Sequence, residues 1–137
     1  MSAGSVDLDV QFDELYEQVD TSSGFGHREH LHLTWLAIRQ HGESHAVTII
    51  CHGIRRAAVY AKAPQKYNAT ISQAWVRLVA HHIRAGHESD FSDFIQRNPA
   101  LLDKRLLSRY YRSSALASVA ARTGWVAPDL APLPASW

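Results

Sequence analysis

Two histidines three residues apart, His27 and His30, are the residues whose types and spacing best suit chemistry. Residues three and four apart share one face of a helix, so both imidazoles would project on the side that carries Leu31 and Ile38. Neutral imidazole binds zinc, copper and iron, and near neutral pH it also accepts or donates a proton. The pair therefore predicts a functional site built on either a metal ion or acid–base chemistry.

The pair needs further groups from elsewhere, and the helix predicted over 68–85 is the nearest supplier. If that helix runs parallel to the one that carries the pair, Tyr67 and Asn68 lie beside the pair. If it runs antiparallel, His81 or His82 near its far end takes their place. Helices that run up, down and up favour the parallel arrangement.

The residues expected at the site lie near the starts of these two helices. Those expected to take part in the reaction are His27, His30 and Tyr67. Those expected to contact the substrate are Thr34, Trp35, Asn68 and Trp75. His27 and His30 are also the predicted ligands of a divalent transition metal ion (Fe, Zn or Cu), and a site without a cofactor is the alternative.

Each of these residues also has a purely structural interpretation. His27 can begin its helix, and His30 can donate a hydrogen bond to a backbone carbonyl. The hydroxyl of Thr34 is expected to bond the carbonyl of His30 one turn back, with a place in a small polar pocket as the alternative. The tryptophans Trp35 and Trp75 can be core residues.

Other groups are less favourable candidates. The chain holds nine histidines, but the neighbours His81 and His82 diverge by about 100° on a helix, so both cannot face one site. Lys66, Arg77 and Arg84 could bind an anionic substrate, although the polar helix face that carries the arginines favours a solvated role. The serines show no neighbouring base, so a serine hydrolase is not predicted.

The hydrophobic pattern predicts an all-α fold, a small helical bundle with three main helices, several short C-terminal helices and an extended tail that contains proline. The main helices are predicted over 27–41, 45–62 and 68–85. The first of them is apolar on two sides, which places it centrally. A short amphipathic helix is predicted near 12–19.

The chain is expected to form a single helical domain over 1–137, of which residues 1–11 are flexible. Residues 123–137 are expected to be an extended tail packed on the bundle. Gly42 is the predicted end of the second helix, Ser44 the N-cap of the third, and Asn68 the N-cap of the fourth.

Length, charge and cysteine usage narrow the class of protein. At 137 residues the chain can bury its own core, and a net charge of +1 gives no bulk attraction to nucleic acid or anionic lipid. The single cysteine, Cys51, is predicted to be a buried, inert thiol. No signal peptide or membrane-spanning run is apparent, so we expect a cytoplasmic protein. The expected partner is a small-molecule substrate, with no nucleic acid and no membrane, and a homodimer is left open.

Several segments together carry a resemblance. They are Phe25-x-His27-x-x-His30-Leu31-x-Leu33-x-Trp35, Lys66-Tyr67-Asn68-Ala69-Thr70-Ile71-Ser72, Asn98-Pro99-x-Leu101-Leu102 and Trp125-Val126-x-Pro128. Over about residues 12–134 the chain resembles a group of short, largely uncharacterised bacterial helical proteins. The resemblance implies that many relatives carry histidine where Gly26 and Asn68 stand, so that Asn68 replaces one partner of the pair. It implies the fold and the site, and no reaction.

These features predict a small bacterial enzyme that acts on a small metabolite, in a histidine-containing pocket between the second and fourth helices. The reaction type stays open between metal-assisted and histidine acid–base chemistry. Because no complete catalytic constellation is visible, the alternative is a non-catalytic helical module that binds a small molecule or a partner protein.

Overall fold

The computed structural model describes the backbone of residues 4–134 and the side chains of residues 7–134. Every regular element in this range is helical, which confirms the predicted all-α class. The α-helices are α1 (Gly4–Tyr16), α2 (His27–His41), α3 (Glu43–Tyr60), α4 (Ala69–Ala85), α5 (Phe91–Arg97), α6 (Ser113–Leu116) and α7 (Val119–Thr123). Short 3₁₀-helices lie between them, at Pro64–Lys66, Pro99–Leu102 and Lys104–Arg109. Within residues 4–134, no helix combines the length and apolar character needed to cross a membrane.

Helix α2 lies at the centre because both of its sides are apolar. On one side, Leu31 and Trp35 pack in a cluster of buried side chains that α4 and α5 also supply. On the other side, Leu33 and Ala37 join a second cluster together with residues of α1 and α3. A helix that buries two faces is held from both sides, so the residues at its start have fixed positions.

Hydrogen bonds at the end of α4 define the directions of the long helices. Arg84 near the end of α4 donates to Glu43 at the start of α3, at 2.7 Å. Arg39 near the end of α2 donates to the carbonyl of Glu88, just beyond α4, at 2.8 Å. Helices α2 and α4 therefore run parallel, and α3 runs the other way. The starts of α2 and α4 consequently meet at the opposite end of the molecule.

Helix α1 begins at Gly4, so residues 4–11 are helical where the sequence suggested a flexible segment. Contacts with α3 account for the difference. Leu8 packs against the second buried cluster, and a carboxylate oxygen of Asp9 lies 2.6 Å from Nε2 of His52. These tertiary contacts stabilise a helix whose own sequence pattern is weak. The flexibility predicted for residues 1–3 lies outside the described residues.

The junction between α2 and α3 is shorter than predicted. Gly42 has a φ of 84°, a conformation that glycine adopts without strain, and it turns the chain within one residue. Helix α3 therefore starts directly at Glu43, and Ser44 lies inside it instead of capping it. The short junction forces α2 and α3 to pack side by side.

The segment after α7 packs on the bundle through buried polar groups. The hydroxyl of Thr70, at the start of α4, donates to the carbonyl of Gly124 at 2.6 Å and accepts the N–H of Val126 at 3.0 Å. The hydroxyl of Tyr111 donates to the carbonyl of Val126 at 2.6 Å. These bonds fasten the tail along the start of α4. The predicted tail also includes residues 135–137, which lie outside the described residues.

Gly53 of α3 lies directly against the ring of Phe12 from α1. A Cβ atom on Gly53 would lie 1.9 Å from Cδ2 of Phe12. We expect Gly53→Ala to lower the free energy of unfolding by about 1–3 kcal/mol, although alanine favours a helix more than glycine does. Urea denaturation followed by circular dichroism measures the change.

The Phe12→Ala background supplies the control, because the ring that the new methyl group would meet is gone. In that background Gly53→Ala should be neutral or should stabilise the protein by up to about 1 kcal/mol, through helix propensity alone. An equal loss of stability in both backgrounds would show that the close approach of Phe12 is not the reason for glycine here.

Candidate functional site

A cavity of about 730 Å³ opens where the starts of α2 and α4 meet the C-terminal part of the chain. Small-molecule sites in proteins usually enclose about 300–1,000 Å³, so this cavity can hold a metabolite. The predicted site residues that line it are His27, His30, Tyr67, Asn68 and Trp75. The parallel arrangement of α2 and α4 brings this set together.

His27 is the first residue of α2, and its ring is held from two sides. Nε2 lies 2.8 Å from the carbonyl oxygen of Leu101. The ring also meets that of Trp75 edge-on, with 4.7 Å between the centroids. Because a carbonyl only accepts hydrogen bonds, Nε2 carries the hydrogen, and Nδ1 is the nitrogen left to accept a proton. The contact with Leu101 therefore fixes both the orientation and the tautomer of His27.

His30 lines the same cavity one turn further along α2. Burial, and then the positive charge that His27 can carry, lower the pKa of His30 to about 4. Its ring forms no hydrogen bond with the described residues, so the backbone bond that was the structural alternative for His30 is not found there. At pH 7 this neutral imidazole keeps one donor and one acceptor for a bound molecule.

Tyr67 precedes α4, and its side chain neighbours that of Cys51 on α3. Burial, and then the neighbouring Cys51, raise the pKa of Tyr67 above its usual range. Burial also raises the pKa of Cys51, so its sulfur stays a thiol at neutral pH. Tyr67 can therefore donate a hydrogen bond to a ligand, but at neutral pH it is no base.

Asn68 lines the cavity with both of its polar atoms already bound to the backbone. Its Oδ1 accepts the N–H of Ile71 at 2.9 Å. This bond makes Asn68 the N-cap of α4, as the sequence predicted. Its Nδ2 donates to the carbonyl of Leu116 at 2.7 Å. Asn68 thus fastens α6 to the start of α4 and builds one wall of the cavity.

Two of the predicted substrate contacts, Thr34 and Trp35, do not line this cavity. Thr34 is fully buried, and its hydroxyl donates to the carbonyl of His30 at 2.9 Å, which is the backbone bond expected for it. Trp35 packs against Phe91 and Phe94 of α5. Both residues lie a turn or more beyond His27 and His30 along α2, where the core covers the helix and the cavity no longer reaches.

The other candidates from the sequence lie elsewhere. His82 lines a separate cavity near the end of α4. Arg77 lies over the ring of Trp125, at 4.7 Å from its centroid, and Arg84 forms its ion pair with Glu43. Of the cations proposed for anion binding, only Lys66 lines the histidine cavity.

Several polar residues at the cavity were missed by sequence reasoning. They come from the 3₁₀-helix Lys104–Arg109 and from α6, and they are Lys104, Arg105, Ser108 and Ser113. Such short elements carry no hydrophobic period that would show which way their residues face. The only signal in the sequence is the pair of adjacent cations at 104 and 105.

The donors at this site fit a metal ion poorly. Among the described residues, no group of three His, Cys, Asp or Glu side chains is placed to hold one. Nε2 of His27 is occupied by a carbonyl, and the polar atoms of Asn68 are bound to the backbone. Two imidazoles without a third ligand are a poor donor set for a transition metal ion.

Comparison of the chain with protein-family models, with curated proteins and with solved structures finds no match. The resemblance to short bacterial helical proteins and the cytoplasmic location therefore stay predictions.

The lowered pKa of His30 should make the stability of the protein depend on pH. Between pH 6.5 and about 4 the unfolded chain binds a proton on this ring that the folded protein does not, so the free energy of unfolding falls as the pH falls. We expect His30→Gln to remove on the order of 2 kcal/mol from the difference in unfolding free energy between pH 7 and pH 5. Urea denaturation at the two pH values measures that difference.

Other groups also titrate between pH 5 and pH 7. The test therefore compares the loss of unfolding free energy between these pH values in His30→Gln with the same loss in the unaltered protein. If His30→Gln loses as much stability between pH 7 and pH 5 as the unaltered protein does, His30 is not a neutral buried group.

Proposed function

We propose that this protein is a small enzyme that acts on a small metabolite bound in the cavity between α2 and α4. The observation that carries the proposal is the pair His27 and His30 on the wall of a cavity of about 730 Å³. The ring of His30 has no hydrogen-bond partner among the described residues. In this proposal α2, α3 and α4 are the bundle that holds the site rigid.

The two histidines have different roles in the proposed reaction. The carbonyl of Leu101 orients His27 and leaves Nδ1 as its proton acceptor, so His27 is the general base. His30, a neutral imidazole, forms a hydrogen bond with the substrate and positions it. Tyr67, kept protonated by burial, can donate a second hydrogen bond.

A non-catalytic module that binds a small molecule is the second candidate. It is favoured by the hydrogen bonds of Asn68, which are directed to the protein's own backbone. In that case the histidines recognise a ligand without transforming it. A partner protein and a homodimer belong to this candidate and have no specific contact to support them.

A site for Fe, Zn or Cu on His27 and His30 is the third candidate, and it has the weakest support because the available donors are few. Metal analysis of protein purified without chelators tests it, with His27→Ala and His30→Ala as comparisons. A stoichiometric transition metal that is lost in both variants would replace the acid–base proposal by a metal centre.

A screen for turnover tests the leading proposal. The protein is incubated with pools of small metabolites, and the loss of each compound is followed by mass spectrometry. For a compound that is consumed, we expect His27→Gln and His30→Gln each to lower kcat/KM about 100-fold or more.

His32→Gln is the matched control, since His32 lies on the same helix and its ring stacks on Phe91, at 4.4 Å between centroids, away from the cavity. It should leave turnover unchanged. Full activity in both cavity variants would disprove the catalytic role. Compounds that bind and are never consumed would favour the non-catalytic module.

A further inference from the structure

The charges around the cavity indicate which class of molecule it binds, and this inference rests on the proposed function. Lys66, Lys104 and Arg105 line the cavity, and among the described residues no Asp or Glu lines it. Arg105 contacts Asp103, with 3.3 Å between Nε and Oδ1. Lys66 and Lys104 form no ion pair with a residue in the range 7–134. The cavity is therefore bordered by positive charge that few carboxylates neutralise.

The cations and the apolar lining lie at different depths. Lys66, Lys104 and Arg105 are exposed, which places them at the mouth. Trp75, Leu107 and Tyr111 are buried, with 5%, 4% and 1% of their surfaces exposed, and they form the floor. An aromatic and aliphatic floor favours an apolar group, and water around the lysines lets a charged group stay solvated.

Two polar groups of the lining are uncharged at pH 7. His30 is a neutral imidazole at pH 7, and the buried Ser72 adds a hydroxyl to the lining. These groups can bond an uncharged polar atom of a ligand. A cationic ligand would meet positive charge at the mouth and would find no carboxylate of the described lining to pair with.

We propose that the cavity binds a small amphiphilic anion, with an apolar body against Trp75, Leu107 and Tyr111 and an anionic head beside Lys66 and Lys104. The head is an oxyanion such as a carboxylate or a phosphate. The body is ring-sized, and the histidines contact the part of the molecule that joins body and head.

Matched probes separate the contribution of the charge from that of the apolar body. They are 1-naphthaleneacetate, its neutral amide 1-naphthaleneacetamide, and 1-naphthyl phosphate, each measured by isothermal titration calorimetry with the full chain at pH 7. We expect at least one of the two anions to bind about ten-fold more tightly than the amide, and we expect the difference to shrink in 0.5 M NaCl. The comparison of the two anions shows which oxyanion the lysines prefer.

The double variant Lys66→Gln/Lys104→Gln should weaken binding of the preferred anion about ten-fold and leave the amide unchanged. Lys62→Gln is the control, because Lys62 is exposed and does not line the cavity. It should leave both affinities unchanged. Circular dichroism of each variant verifies that the fold is kept.

Three results would overturn the inference. They are an amide that binds as tightly as both anions, a double variant that keeps the full anion affinity, and the absence of binding by all the probes at millimolar concentration. None of these results affects the conclusion from the turnover screen, because that screen does not depend on the charge of the ligand. Conversely, anion binding that depends on the lysines supports the inference even if no compound is consumed.

Discussion

The position of residues 99–134 depends on side chains at the starts of α2 and α4 that bond the backbone of this segment. A 3₁₀ turn or a helix of four residues leaves most of its peptide groups without an internal partner. His27, Asn68 and Thr70 supply such partners. A buried peptide group that loses its bond costs roughly 1–3 kcal/mol. The side chains that hold residues 99–134 in place therefore also line or flank the cavity. The same residues serve both the candidate site and the stability of the fold.

The central part of the site could be predicted from the sequence because two regular helices determine it. Helical spacing placed His27 and His30 on one face, and the up-down-up order of the long helices placed Tyr67 and Asn68 beside them. The same reasoning was less accurate for Trp35. A stripe of residues is wider than the surface of one cavity, so a residue on its margin can face a different neighbour.

The rest of the site depends on contacts that no local pattern encodes. Lys104 and Arg105 reach the mouth through 3₁₀ turns whose direction is set by packing on α2 and α4. The early start of α1 likewise comes from its contacts with α3, such as Asp9 with His52. In both cases the sequence carries the residue types, and the tertiary structure decides where they face.

The fastening of residues 99–134 onto α4 has a consequence for the newly made chain. A ribosome releases the chain from its N-terminus, so α2 and α4 emerge before the segment that completes the cavity. Until that segment docks, Thr70 lacks the partners that it has in the finished fold. A molecule that occupied the proposed site would bind only the completed cavity, and by mass action it would stabilise the docked state over the undocked one. A molecule bound in this way would then also assist the folding of residues 99–134.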